Sequence, residues 1–241
     1  MVASHSCSGE HSAVEPDTAA PRIGVHRHGW RGMSHWSMAG LVLLVGSIQW
    51  LLVLLVLMEG STLEYRPSVF YVSDLGDKDF VEHLGGPPAF IFNASLLSLG
   101  LLIVGAVYVL RSYDRPLASL LMIAGVGAVI AGAFPETIQP HHGIGAGLAF
   151  LFGGLSAIAS CRVSPVPLRP IYLALGCLAV GGVLTFSLQG FLGLPRESTS
   201  TFLGLGKGGM ERLIIYPTML WLVSFGGLLS GAFAPARRTT A

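Results

Sequence analysis

Glu136, His141 and His142 stand within the short stretch PETIQPHHG, residues 135–143, between two long apolar runs. A carboxylate and two imidazoles can exchange protons near neutral pH or bind a transition metal. With Asp74 and His83 the chain has enough ligands for a catalytic zinc, which needs about three protein ligands and an open position. No H-E-x-x-H motif is present. Three alternatives stay open: a helix cap at headgroup level, a metal or acid–base site, and a proton sensor.

A second polar group opens the last apolar run of the chain. Lys207 and Glu211 are four residues apart, as are Arg212 and Tyr216, so each pair shares one face of a helix. The glycine-rich run GLGKGG, residues 204–209, precedes them. Successive glycine amides at a helix start can hold an anion such as a lipid phosphate, and the alternative is a hinge before the helix.

The elements that position these residues follow from composition. Of the 241 residues, 52% are hydrophobic and 11% are charged, which is typical of a membrane protein. The net charge of +1 gives no indication of nucleic-acid binding. Apolar runs near the length needed to cross a bilayer recur after about residue 35, and only helices satisfy their own backbone in lipid at such lengths. The predicted class is all-α, a polytopic six-helix transmembrane bundle in the cell membrane.

Glycine and proline mark the breaks between the spans. The predicted spans are Trp36–Met58, Pro87–Leu110, Leu117–Phe134, His142–Cys161, Leu168–Leu192 and Gly208–Phe233. Gly143, Gly147, Gly154 and Ala157 recur at helical spacing in the fourth span and predict a seam for close helix contact.

Arginines in alternate loops set the predicted orientation. Arg111, Arg115, Arg162 and Arg169 lie in loops of one side, and most acids lie in loops of the other. The positive-inside rule then places both termini in the cytoplasm and the acids outside. Residues 1–35 are predicted to be a disordered, polar, His-rich tail, 36–233 the transmembrane domain, and 234–241 a short cytoplasmic tail.

The polar residues of the spans gather on the predicted outer side. We therefore expect an outer cup that binds a ligand through these side chains: Asp74, Asn93, Glu136, His141, His142, Lys207, Glu211, Arg212 and Tyr216. Lys207 and Arg212 would hold an anion, and His141, His142 and Glu136 would relay protons or hold zinc. Residues 61–86 alternate aromatic and acidic side chains and are predicted to lie on the interface or cover the cup.

Several short motifs carry a resemblance to a known family. They are Ser73-Asp74-Leu75-Gly76, Asn93-Ala94-Ser95, the turn from Phe134-Pro135-Glu136 to His141-His142, and Gly209-Met210-Glu211-Arg212 before Tyr216-Pro217. Over about Leu41 to Gly231 the chain resembles the integral membrane family called domain of unknown function 998. The resemblance implies a six-helix membrane bundle with polar motifs at these places and carries no established activity.

Three functions fit these expectations. The first is binding of a lipid headgroup or small polar solute in the cup, with membrane lipids as partners. The second is a metal-dependent hydrolase acting on a lipid, with Glu136 as base or ligand. The third is a small-solute transporter or an assembly scaffold.

Overall fold

The computed structural model describes residues 34–60, 65–83, 89–191 and 204–231, and for 189–191 it describes the backbone alone. The described residues form helices and turns and contain no strand. The α-helices are α1 (His35–Gly60), α2 (Lys78–His83), α3 (Ala89–Leu110), α4 (Arg115–Ala133), α5 (His141–Ser160), α6 (Arg169–Phe191) and α7 (Gly206–Ser230). Two short 3-10 helices lie at Ser73–Gly76 and Val166–Leu168.

Six helices of the described chain, all except α2, are long and apolar enough to cross a membrane. This confirms the predicted all-α, six-span class, and the predicted spans lie within a few residues of these helices. Their predicted limits at Pro87, Leu192 and Phe233 fall outside the described residues. So do nearly all of 1–35 and the whole of 234–241, and both tails stay predictions.

The six long helices form a closed ring. Each packs against the next one along the chain, α1 also packs against α7, and α5 contacts α7 across the ring. At one end, which we call the carboxylate end, α1 finishes and α7 begins. The opposite end carries Arg111, Arg115, Arg162 and Arg169, and we call it the arginine end. Which end faces the cytoplasm stays a prediction.

Local signals explain where helices begin and end. Asp114 caps α4, since its side chain accepts a hydrogen bond from the Leu117 amide at 2.8 Å, and Pro116 occupies the first turn, where no amide is needed. Gly231 ends α7 in the left-handed conformation, with φ of 77°, which a glycine adopts without strain. These signals are local and therefore readable in the sequence.

Polar side chains inside the ring bond to one another between helices. Trp221 of α7 donates its indole hydrogen bond to the Ser160 hydroxyl of α5 at 2.9 Å. The Tyr172 and Ser224 hydroxyls lie 3.0 Å apart, joining α6 to α7. An unpaired polar group inside a membrane costs free energy. These hydrogen-bonded pairs therefore favour one arrangement of the helices.

Glycines bring α4 and α5 into backbone contact. A methyl group on Gly127 would lie 2.5 Å from the Ala149 nitrogen, and one on Gly145 would lie 2.6 Å from the Ala131 nitrogen. The predicted seam of Gly143, Gly147, Gly154 and Ala157 is correct at Gly154, where a methyl group would lie 2.9 Å from Val180 of α6, and wrong at Gly143 and Gly147. Nothing lies within 4 Å of a methyl group at Gly147, and one at Gly143 would meet only Gln139. That face of α5 instead lines a cavity, described below.

Gly127→Ala should weaken the bundle, because its new methyl group overlaps the α5 backbone. We expect the free energy of unfolding to fall by about 1–3 kcal/mol, as for other overpacked sites. The change should be seen as a lower thermal midpoint of the detergent-purified protein. Gly105→Ala is the control, since nothing lies within 4 Å of its added methyl group. Its midpoint should stay the same or rise slightly from the better helix propensity. Equal midpoints for Gly127→Ala and the wild type would contradict this contact.

Candidate functional site

A cavity of about 540 Å³ opens at the carboxylate end between α5, α6, α7 and the loops beside them. Its polar lining residues include Glu136, His142 and Glu211. Its apolar lining residues include Phe150, Val183, Phe186 and Ile214. Residues that are far apart in the sequence therefore line one cavity, and the lining combines ionisable and apolar side chains.

The segment 65–83, which we call the strap, lies across this end of the ring. It contains the first 3-10 helix and α2, and it buries Val72, Leu75 and Val81 to within 2% of full burial. Such burial shows that the strap is packed onto the bundle as part of the core. Tyr71 and Ser73 of the strap line the cavity.

Arg212 ties the strap to α7. Its side chain is only 7% exposed, and Nη1 donates to the carbonyls of Pro67 at 2.6 Å, Phe70 at 3.0 Å and Gly208 at 2.9 Å. Nη2 donates to the Tyr65 hydroxyl, which in turn donates to the Tyr71 carbonyl at 2.9 Å. Burial raises the pKa of Tyr65 to about 12, so its hydroxyl stays neutral. These contacts direct the guanidinium into the strap backbone, away from any external anion.

The glycine run before α7 provides the surface on which the strap rests. A methyl group on Gly208 would lie 2.0 Å from the Phe70 carbonyl oxygen, and one on Gly206, whose φ is 67°, would lie 2.1 Å from that of Ser68. The Gly208 amide donates to the Ser68 carbonyl at 3.3 Å. At Gly206 and Gly208, in the run for which a phosphate cradle or a hinge was predicted, the structure thus has a close backbone contact with the strap.

Glu211 holds the middle of the strap and faces the cavity. It is 8% exposed, and its Oε2 accepts a hydrogen bond from the Val72 amide. Lys207 shares a face of α7 with Glu211 but forms no ion pair with it, because the ion pairs within the described residues are Lys78 with Glu82 and Arg162 with Asp114. Lys207 instead places its ammonium 4.9 Å from the centre of the Tyr71 ring.

Asp74 and Glu136 bring two more carboxyl groups to the same end. Asp74 accepts a hydrogen bond from the Tyr71 amide at 2.7 Å. Burial first, and then the neighbouring Glu136 carboxylate, raise the pKa of Asp74 to about 6, while Lys207 acts in the opposite direction. Asp74 and Glu136 are close enough to share a hydrogen bond when one is protonated. Glu136 Oε2 is buried and has no hydrogen-bond partner among the described atoms.

The two histidines point to different surroundings. His142 is 6% exposed, and its Nδ1 lies 2.8 Å from the Phe134 carbonyl and 3.2 Å from that of Ala131. His141 is exposed and stacks on the Phe134 ring, with centroids 5.0 Å apart. Within the described residues no three His, Cys, Asp or Glu side chains are grouped so that they could hold a metal. Zinc therefore stays a prediction.

Asn93 and Tyr216 contact other parts of the protein, the strap and α1 respectively. The Asn93 amide donates to the Gly76 carbonyl at 2.8 Å, which joins the strap to α3. The Tyr216 hydroxyl lies 4.0 Å from the Met58 sulfur of α1. Both residues therefore position the strap and the helices around the cavity.

Gln49 and Trp50, which lie near the middle of α1, were not predicted as polar residues of the site. Gln49 donates to the Ser95 hydroxyl at 2.6 Å. The Trp50 indole nitrogen is buried without a partner among the described atoms, and the ring lines two small cavities of about 40 and 60 Å³. A lone amide in an apolar run is a visible signal, because such a group needs a partner in lipid.

Fold and site together define a multi-pass membrane protein, a six-helix ring with a cavity at one end. The chain belongs to the family described as protein of unknown function DUF998, whose model matches residues 44–227. The predicted family is thereby confirmed. No curated protein and no solved structure matches the chain.

Arg212→Met should release the strap, because three backbone carbonyls lose a buried donor. The free energy that holds the strap on the bundle should fall by about 2 kcal/mol or more, since each unsatisfied buried group costs about 1–3 kcal/mol. Chymotrypsin cleavage within 65–83 should then accelerate more than about tenfold. The control is Arg66→Met, an exposed arginine of the same strap, which should be cleaved at the wild-type rate. Cleavage of Arg212→Met at the wild-type rate would show that the Arg212 hydrogen bonds do not hold the strap in place.

Asp74→Asn should change how thermal stability depends on pH. Because the folded pKa of about 6 exceeds the ordinary 3.8, the folded protein binds this proton more tightly than the unfolded one. The stability from this group is present below about pH 4 and lost as the pH rises to about 6. The variant should therefore have a higher thermal midpoint than the wild type above pH 6, and an equal one near pH 4.

The matched control for this prediction is Asp79→Asn, an exposed residue in the first turn of α2. It should keep the wild-type dependence on pH. If the thermal midpoints of Asp74→Asn and the wild type differ by the same amount at every pH, protonation of the Asp74 carboxyl group is not the cause of the difference.

Proposed function

We propose that this protein binds an amphiphile in the cavity at the carboxylate end. The observation that carries the proposal is the mixed lining of that cavity, in which Glu136, His142 and Glu211 stand together with apolar side chains of α5, α6 and α7. Its volume of about 540 Å³ lies within the range of ligand pockets, about 300–1,000 Å³. It is large enough for a polar head and the first part of a chain.

The charges indicate which kind of head is preferred. Glu211, Asp74 and Glu136 interact electrostatically with one another, so three carboxyl groups meet beside the cavity. Arg212 is occupied by the strap, and Lys207 stacks on Tyr71 beside Asp74. Because the acids exceed the available cations, the head that fits best carries positive charge or donates hydrogen bonds. This proposal replaces the predicted anionic ligand, which Arg212 and Lys207 were expected to hold, because Arg212 bonds to the strap instead.

The proposed location follows from the same charges. The arginine end is the more positive one and belongs in the cytoplasm by the positive-inside rule. The cavity then faces the outside of the cell membrane, and ligand enters from the outer leaflet or from the solution above it.

Three amphiphiles with one C12 chain and different heads test the proposal: dodecylamine, 1-dodecanoylglycerol and dodecyl phosphate. Each is added to the protein in micelles of a nonionic detergent, and the thermal midpoint is measured. A ligand that binds the folded state raises the free energy of unfolding, by about 2.7 kcal/mol at a hundredfold excess over its Kd, and the midpoint rises with it. We expect dodecylamine to raise it most and dodecyl phosphate least.

Glu136→Gln should abolish the rise caused by dodecylamine, because it removes a carboxylate from the cavity wall. Glu82→Gln, on the exposed side of α2, is the control and should keep the rise. Equal shifts for all three heads, or a full response in Glu136→Gln, would overturn the proposal. Zinc is measured in the same preparation, and one zinc per chain that is lost in His142→Ala would favour the lipid hydrolase instead.

A further inference from the structure

A second recess lies at the arginine end, on the opposite side of the molecule from the strap. It has a volume of about 750 Å³ and is formed by the last turn of α3, the turn after it and the first two turns of α4. Tyr108, Arg111, Arg115 and Ser119 form its polar side. Met122 and Ile123 extend it along α4 toward the middle of the membrane. We call it the α3–α4 groove.

Two cations of the α3–α4 groove have no acidic partner among the described ion pairs. The Arg111 guanidinium lies 3.9 Å above the Tyr108 ring, and Arg115 is exposed. Asp114 stands between them in sequence, but it caps α4 and its Oδ1 lies 3.2 Å from Arg162. The nearby acid is therefore already neutralised, and the positive charge of Arg111 and Arg115 remains available to a ligand.

The surroundings of these two arginines suit a lipid ligand. α3 ends at Leu110 and α4 begins at Arg115, so both arginines stand where the spanning helices leave the hydrocarbon. Below them the walls are apolar, with Val107 and Ala118 at the base. Guanidinium groups bind phosphate oxygens in pairs of hydrogen bonds, and basic pockets between spanning helices bind anionic headgroups. A free phosphate would leave the apolar part of the groove unused.

We propose that the α3–α4 groove binds an anionic phospholipid, with its phosphate between Arg111 and Arg115 and an acyl chain along Val107, Met122 and Ile123. Tyr108 contacts Arg111 by its ring face and is 63% exposed at the end of its helix, where tyrosine is favoured. The site is independent of the amphiphile cavity, since the two lie at opposite ends and prefer heads of opposite charge.

The test uses two lipids with the same chains, dioleoylphosphatidylglycerol and dioleoylphosphatidylcholine. The full chain is purified in a nonionic detergent, each lipid is added, and bound lipid is counted by native mass spectrometry. We expect phosphatidylglycerol to bind about tenfold more tightly than phosphatidylcholine. Glycerol phosphate, which has the head without the chains, should not compete at equal concentration.

The double variant Arg111→Gln with Arg115→Gln should lose the preference for phosphatidylglycerol. Arg66→Gln, an exposed arginine on the strap at the other end, is the matched control and should keep it. Equal binding of the two lipids by the wild type would overturn the proposal without any variant. A preference that survives in the double variant, or full competition by glycerol phosphate, would also overturn it.

Discussion

The buried guanidinium of Arg212 is the interaction on which the rest of the carboxylate end depends. It donates to backbone carbonyls of the strap and of α7 and to the Tyr65 hydroxyl, so one charge satisfies several buried acceptors. A buried cation needs hydrogen bonds to offset its lost hydration, and here the strap supplies most of the partners, although Nε has none among the described atoms. Without the strap in place, Arg212 would be a bare charge near the membrane, and the cavity would lose the wall that Tyr71 and Ser73 provide.

Close backbone contact complements this electrostatic tie. Gly206 and Gly208 let the strap reach the start of α7, and Gly127 and Gly145 let α4 reach α5. Where α5 carries glycine without a neighbouring helix, at Gly143 and Gly147, the missing side chains leave room for the cavity. The same residue type therefore serves contact on one face of a helix and open space on another. Spacing alone does not distinguish these two uses, because both faces have a helical period.

The two ends of the ring differ in charge, and this difference organises the proposed functions. Three carboxyl groups gather beside the cavity at one end, whereas Arg111 and Arg115 of the α3–α4 groove at the other end form no ion pair within the described residues. Each recess combines polar groups with apolar walls, as expected for sites that meet lipid-like molecules at the two surfaces of a membrane. In both proposals the sign of the charge, rather than the size of the recess, distinguishes the head that each one is expected to accept.

The amino-acid sequence by itself determined the six spans, their approximate limits, the family and the collection of polar residues at one end. Hydropathy and helix caps are local properties, and alternating helices place every second loop on the same side. Only the tertiary structure decided what each polar residue does: Arg212 and Asn93 bind the strap, His142 and Glu211 line the cavity, and His141 stacks on Phe134. Those roles depend on rotation about the helix axis and on contacts more than a hundred residues apart, as between Val72 and Glu211. Neither leaves a periodic signal in the chain.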